Sequence, residues 1–402
     1  MTEESSSKRI AWFLPDFGVG SGGVRTVLQN ASYLADNGFV CDLFINDDEE
    51  KNDYYKEIIK NNYCINNIKN IITGDCHNEE DYDLAIATYY ETANRIANMN
   101  IKRKLYFVQD YEPWFFPMSE EFLNAQSSYK KGLPVVTIGK WLRKYLHDKY
   151  GLCTNSFSFC ADKDTYKDLG KKREKSICFI YQPSKPRRCA KLGLKALQIV
   201  QTKRPDIKVY LYGSEKMIPH NINAEHLGML SAEECNELYN KCSVGLCLSS
   251  SNPSRIPFEM MMAGLPVVDL YLENNIYDFP GDGCLLAEPT PEAIATAILK
   301  LFDDDSLRKS FAFGGKTYMK KYPLDYGFKQ FLECVKGLMD GGENKAKAVH
   351  RTYRQGAIES SIGDIESKEE VFFEEIKEDP PKVKLSFSKR VYLKIRHLLL
   401  GR

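Results

Sequence analysis

The residues best suited to chemistry fall in four short stretches. The first is Gly18-Val19-Gly20-Ser21-Gly22-Gly23, followed by Val24 and Arg25. It fits the spacing G-x-G-x-x-G, in which glycines let backbone N–H groups approach a phosphate and a helix N-terminus favours the negative charge. A dinucleotide site would also want an acid near the end of the next strand, and Asp47 or Asp48 is available. The same loop serves equally to bring backbone close to a sugar, and Arg25 is not what a dinucleotide turn requires. A tight turn with no ligand is the bland alternative, and so many glycines are excessive for one.

The second stretch is Gln109-Asp110-Tyr111-Glu112-Pro113-Trp114, at the end of a predicted strand. Residues there gather at the ligand side of open α/β sheets. Asp110 and Glu112 suit sugar hydroxyls, while Tyr111 and Trp114 suit stacking on a ring. A polar loop closed by Pro113 is the alternative. The third stretch, residues 181–193 (YQPSKPRRCAKLG), places Arg187, Arg188 and Lys191 at the opening of a helix. Cations and the helix dipole could converge there on a diphosphate, although a solvated basic face explains them too, Arg188 above all. The fourth, residues 248–268 (LSSSNPSRIPFEMMMAGLPVV), carries the strongest signal. A strand ends in Ser and Asn, and a Pro-containing loop opens a short helix that Gly264 stops. Amides near Ser254 can face a phosphate, and Glu259, one turn in, can accept ribose hydroxyls. A lone glutamate beside three methionines is otherwise an odd choice on so apolar a helix.

These stretches need elements to position them. An apolar run at 9–17, a helical pattern through Val24, Val27, Leu28, Ala31 and Leu34, and a strand at 39–45 open the chain as strand, glycine loop, helix, strand. Further strands are predicted at 68–72, 83–88, 104–109 and 134–138, with helices at 119–131 and 140–149. The polar segment 161–175 reads as a crossing between domains. The alternation then restarts with strands at 176–181, 209–213, 244–249 and 266–271. Helices are predicted at 191–201, 231–241, 257–264, 291–303, 306–321 and 325–339. Two βα-alternating halves imply two doubly wound, Rossmann-like α/β domains, residues 8–165 and 174–340, facing across a cleft. Residues 341–381 lose the pattern and read as linker or disorder. Residues 382–402 are basic with an apolar component, so they suit either an anionic membrane surface or a protein partner.

The bulk properties set limits. In 402 residues the 55 Lys and Arg balance the 55 Asp and Glu, so nothing in the total charge argues for nucleic acid. Twelve cysteines without a Cys-x-x-Cys pair point to free thiols and give no metal site. Asp81-Tyr82-Asp83 has the Asp-x-Asp form of a metal motif but precedes a predicted strand, so it reads as a strand-entry turn. The polar start, MTEESSSKR, has no secretory pattern, and no apolar run approaches the roughly 20 residues that span a bilayer. A cytoplasmic protein is expected, at most peripheral on the inner face of the plasma membrane.

In this order the glycine loop, FVQDYEP, the PxRR helix and NPSRIPFEMMMAGLPVV resemble retaining GT-B glycosyltransferases over about residues 8–340. More closely, they are similar to the branch containing bacterial rhamnosyltransferases of cell-surface polysaccharide assembly. The resemblance implies a nucleotide-sugar donor held mostly by the second domain and no separate cofactor. Glu259 would bind the ribose, and Arg187, helped by Arg188 and Lys191, the diphosphate. Asn252, Ser254, Arg255 and Ile256 would approach phosphate or sugar. Gly22, Gly23 and Arg25 would face the donor from the first domain. Asp110, Glu112 and Arg187 would serve the chemical step, with Tyr111 and Trp114 on the acceptor side. Transfer from a dTDP- or UDP-linked hexose or deoxyhexose, to a glycan or lipid-linked glycan, is the implied reaction, with retention and without a metal. The chain departs from the pattern at Ser251, where many relatives carry the first acid of a Glu-x(7)-Glu pair. It departs again at Gln182 and Met229, where cations are usual, and at Arg255, where an aromatic is usual. The donor's identity therefore stays open. Two rivals remain: a dinucleotide-dependent oxidoreductase built on the glycine loop, and a catalytically silent glycan-binding protein of the same fold.

Overall fold

The structure, a computed structural model, describes residues 7–76, 78–215, 222–341 and 348–361. The opening apolar run forms β1 (Arg9–Pro15), buried from Ile10 to Leu14. A run without polar alternation fits a parallel sheet covered on both faces. Ser21 then caps α1 (Gly22–Asp36) by accepting from the Val24 amide, and Val27, Leu28, Ala31 and Leu34 turn inward. The first domain continues with β2 (Val40–Asn46), α2 (Asn52–Tyr63), β3 (Asn70–Thr73), β4 (Leu84–Ala87) and α3 (Tyr90–Ala97). β5 (Lys104–Val108), α4 (Glu120–Ser128), β6 (Val135–Ile138), α5 (Lys140–Tyr150) and β7 (Thr154–Phe157) complete it. The strands lie in the order β3-β2-β1-β4-β5-β6-β7, and every pairing is parallel.

The second domain begins with β8 (Ser176–Ile180), α6 (Ala190–Lys203), β9 (Lys208–Tyr212), β10 (Ala224–His226), α7 (Ala232–Lys241) and β11 (Val244–Leu246). α8 (Ile256–Met262), β12 (Val267–Leu270), α9 (Glu273–Ile276), β13 (Cys284–Ala287), α10 (Pro291–Asp303), α11 (Asp305–Met319) and α12 (Leu324–Met339) follow. Its parallel sheet runs β10-β9-β8-β11-β12-β13. The strand order of each sheet reverses beside its first strand, between β1 and β4 and between β8 and β11. Such switch points open a crevice outside the strand ends. β7, β10 and β13 were not anticipated. All three are edge strands of three or four residues, too short to establish a periodicity.

The crossing at 161–175 runs along the second domain. The Lys167 amide donates to Asn236 Oδ1 at 3.0 Å and the Leu169 amide to Asn240 Oδ1 at 2.7 Å. α12 returns to the first domain although it follows the second. Phe331, fully buried, packs its ring 5.7 Å from Trp12, 5.2 Å from Phe107 and 6.0 Å from Phe157. Its apolar face covers the β7 side of the first sheet. Part of the segment 341–381, expected to be linker or disorder, is instead built into the second domain. Ile358 bridges Ala287 at the edge of β13, and buried Tyr353 accepts the Leu286 amide through its hydroxyl at 3.2 Å. Backbone bonds add to these contacts: the Tyr353 amide donates to Ile276 O at 2.9 Å and the Ile358 amide to Leu286 O at 2.9 Å. The basic segment 382–402 lies outside the described residues.

The domains also meet through apolar and capping contacts. Phe159, just after β7, stacks on Phe258 of α8 at 4.7 Å with rings 4° from parallel. Asp81 and Asp83 lie away from these contacts. Arg9 pairs with Asp81 at 3.3 Å and donates its amide to Asp83 at 2.9 Å, which makes the Asp-x-Asp segment a strand-entry turn.

Candidate active site

The crevice between the sheets encloses a cavity of about 430 Å³ lined by both domains, within the size range of small-molecule sites. From the first domain the glycine loop enters at the end of β1. Gly20 takes a left-handed φ of +85° that other residues rarely adopt. Gly22, Gly23 and Arg25 line the cavity, so the N-terminus of the 15-residue helix α1 faces it. A side-chain carbon at Gly22 would meet no protein atom within 4 Å, leaving the approach open to a ligand. Gln109 Nε2 donates to Gly23 O at 3.1 Å and ties this loop to the end of β5.

The residues after β5 divide sharply in role. Asp110, only 7% exposed, lines the cavity, yet its carboxylate is largely spent on protein groups. Oδ1 accepts the Tyr111 and Asn252 amides, both at 2.9 Å, and Oδ2 accepts the Ser251 hydroxyl at 2.7 Å. Glu112 also lines the cavity. Its Oε2 accepts the Tyr90 amide at 2.6 Å and the Tyr106 hydroxyl at 2.8 Å. Burial is the main influence and pushes this carboxyl up to about 8, so at neutral pH it is chiefly protonated and able to donate. Tyr111, expected on the acceptor side, is fully buried. Its hydroxyl pairs with that of Tyr150 at 2.6 Å and its ring packs edge-on against Trp114 at 5.1 Å and Tyr145 at 4.9 Å. A ring this well packed has no face left for a sugar. Trp114 is 41% exposed and stacks on Trp141 at 5.5 Å, outside the cavity lining.

From the second domain, the turn Pro186–Arg188 after β8 brings Arg187 and Arg188 to the cavity. The Arg187 guanidinium lies 4.2 Å over the Phe115 ring and 3.6 Å from Asp110 Oδ2, while its buried Nε makes no hydrogen bond. Arg188 donates to Ser249 Oγ at 2.9 Å. Lys191 is exposed on α6 and does not line the cavity. Asn252 does not line it either. Its side-chain nitrogen Nδ2 donates to Gln109 O at 2.8 Å and Ile138 O at 3.0 Å. Ser254, Arg255, Ile256 and Glu259 all do line it. Arg255 reaches across to Thr26 Oγ1 at 3.0 Å and Gln29 Oε1 at 3.2 Å. Burial raises the Glu259 carboxyl, with Arg255 and Arg25 opposing the rise.

Sequence reasoning passed over Lys185, Tyr89, Tyr166 and Tyr239, all of which line the cavity. Lys185 shares the turn of Arg187, so its spacing could have found it. The tyrosines come from separate elements and carry no local signal. Arg25, Lys185, Arg187, Arg188 and Arg255 oppose Asp110, Glu112 and Glu259 around the cavity. With Glu112 largely neutral, the balance favours an anionic ligand.

Comparison with known proteins agrees with this geometry. Residues 47–140 match the N-terminal domain of WsaF and residues 175–299 its C-terminal domain. The O-antigen biosynthesis protein RfbC of Myxococcus xanthus is 28% identical over 274 residues, covering 66% of this chain and 21% of that protein. The chain thus spans about a fifth of that relative's length. Among solved structures, TarM superposes with a TM-score of 0.70 at 11% identity, covering 84% of this chain and 99% of its own. Sucrose-phosphate synthase from Thermosynechococcus elongatus gives 0.65 at 14%, covering 83% and 100%. HepE of Anabaena, solved with UDP and glucose, gives 0.64 at 15%, covering 81% and 99%. Two parallel-sheet Rossmann-like domains facing across a cleft, with segments matching both WsaF domains in order, make this chain a protein of the GT-B fold.

Proposed function

We propose that the protein is a glycosyltransferase that moves a hexose or deoxyhexose, rhamnose among the candidates, from a nucleotide-diphosphate sugar to a glycan or lipid-linked glycan. The observation that carries this reading is the convergence of the α1 N-terminus, Arg187, Arg188 and Glu259 on one interdomain cavity. Glu259 accepts ribose hydroxyls. Arg187 and Arg188 face the diphosphate and stabilise it as it leaves, with the α1 amides opposite. Glu112, held by Tyr90 and Tyr106, offers a proton to a sugar hydroxyl. Transfer proceeds with retention and without a metal, the donor phosphate taking the acceptor proton. The similarity to RfbC supports a role in surface-polysaccharide assembly, and the UDP complex of HepE supports a UDP-linked donor beside the dTDP-linked one. Among the described residues no helix is long and apolar enough to cross a membrane. The basic, apolar pattern of 382–402 supports peripheral attachment to the inner face of the plasma membrane.

A catalytically silent GT-B protein is the second reading, favoured by Gln182 and Met229, which line the cavity where the resemblance calls for cations. A thermal-shift panel of TDP, UDP, GDP, CDP and NAD, each with and without magnesium, tests the proposal. A metal-independent rise with one nucleoside diphosphate supports it and names the base. A rise with NAD alone overturns it, and no rise at all favours the silent protein.

A further inference from the structure

One two-residue step of the second domain holds three points of the first. The Ser251 hydroxyl binds Asp110 Oδ2 at 2.7 Å, and the Asn252 amide binds Asp110 Oδ1 at 2.9 Å. The Asn252 side chain donates to Gln109 O and Ile138 O, at the ends of β5 and β6. Both residues are 1% exposed, so these bonds are shielded from competing water. The step is itself braced from below. The Asn274 side-chain amide donates to Ser249 O and Ser251 O, and Asp269 accepts the Ser249 amide at 2.9 Å.

What this step holds bears on the cavity. Asp110 Oδ2, fixed by Ser251, faces Arg187 Nε at 3.6 Å, and the same guanidinium rests on Phe115, another first-domain side chain. Arg187 belongs to the second domain, yet the charge and the ring that orient it come from the first. Gln109, whose carbonyl Asn252 holds, reaches the glycine loop at Gly23. Separating the domains would therefore free Arg187 and loosen the glycine loop together.

We propose that Ser251 and Asn252 are positioning residues that make the anion site complete only when the domains are closed, acting on Arg187 through Asp110 and on the glycine loop through Gln109. The role given to Arg187 rests on the glycosyl-transfer reading, but the closure itself does not. The Ser251 hydroxyl is the part that can be removed most cleanly, since it donates to a carboxylate that keeps its two amide bonds.

The test uses the full chain with Ser251→Ala and Ser251→Thr, the second retaining the hydroxyl. Small-angle scattering reads closure without any substrate. Turnover of the nucleotide sugar whose base the thermal-shift panel identifies reads the coupling. Ser251→Ala is expected to increase the radius of gyration and to lower kcat at least tenfold, the scale of losing one hydrogen bond to a charged group. Donor KM should move less than threefold, and Ser251→Thr should restore most of the rate. Wild-type scattering together with wild-type kcat in Ser251→Ala would overturn the proposal, as would a rate loss that Ser251→Thr leaves unrepaired. If Ser251→Ala does not fold, Ser251→Cys keeps the side-chain volume with a weaker donor: a smaller change of the same sign in scattering and kcat supports the proposal, and wild-type values of both overturn it. Should the wild-type protein transfer no sugar, the function reading fails while scattering still decides whether Ser251 holds the domains closed.

Discussion

Asp278 of the second domain caps a helix of the first: its carboxylate accepts the Lys140 amide at 2.8 Å, and the Trp141 amide at 3.2 Å, at the start of α5. The helix has no capping side chain of its own, because Gly139 precedes it with a φ of +85°. A side-chain carbon at Gly139 would fall 2.6 Å from the Phe159 ring and 3.0 Å from Asp278. The glycine thus permits the close approach that lets one domain complete the other's helix.

Replacing this cap should be measurable. Asp278→Ala is expected to lower stability by about 0.5–2 kcal/mol, the range for losing an N-cap side chain. Asp278→Asn, which keeps an acceptor oxygen, should lose less. Chemical denaturation of the two variants at one pH checks the order, and equal losses would mean that the charge, not the cap geometry, matters.

The buried carboxyls predict an acid-favouring stability profile. Glu112 is pushed up to about 8 from an ordinary value near 4.5, chiefly by burial, and Asp269 likewise to about 8 from 3.8. The folded protein therefore binds more protons than the unfolded chain between those limits. Their contribution is full below the unfolded values and is lost as pH rises towards 8, at up to about 1.4 kcal/mol per pH unit for each proton. Glu112→Gln, which resembles the neutral form, should flatten part of that slope in denaturation series from pH 5 to 8. An unchanged slope would place Glu112 as ionised throughout.

Glu259 offers the sharpest check on the donor site. Glu259→Ala is expected to weaken binding of the nucleoside diphosphate by about 1–3 kcal/mol, the scale of a lost hydrogen bond to a charged group. Titration calorimetry reads this directly. Unchanged affinity would remove the ribose role assigned to Glu259.

The return of α12 makes a prediction about stability alone. Phe331 is fully buried among Trp12, Phe107 and Phe157, so Phe331→Ala should cost about 3–5 kcal/mol. Loss well below that range would mean that α12 detaches without disturbing the first sheet.

Much of the scaffold was legible because each element announces its own buried face. β1 reads as a parallel strand from its unbroken apolar run, α1 from inward residues at helical spacing, and the glycine loop from its composition. Gly22, Gly23, Arg187, Ser254 and Glu259 were legible as cavity residues because each sits at a strand end or helix start. Tyr111 was not. Next to Asp110 in the chain it looked equally available, and only packing against Tyr145 and Tyr150 reveals that its ring is enclosed. Lys191 is similar: near Arg187 in the chain, it lies exposed on α6 and outside the cavity lining.

By itself, then, the sequence determined two βα-alternating domains, the order of their chemistry-bearing loops and an anion-suited composition at the strand ends. These follow from local periodicity and backbone preference, which each segment carries within itself. The tertiary structure alone decided that Asp110 meets Ser251, 141 positions away, that Asp278 caps α5, and that α12 folds back on the first sheet. Such pairings depend on which surfaces the two sheets bring together across the cleft, and no local spacing encodes a contact between residues so far apart.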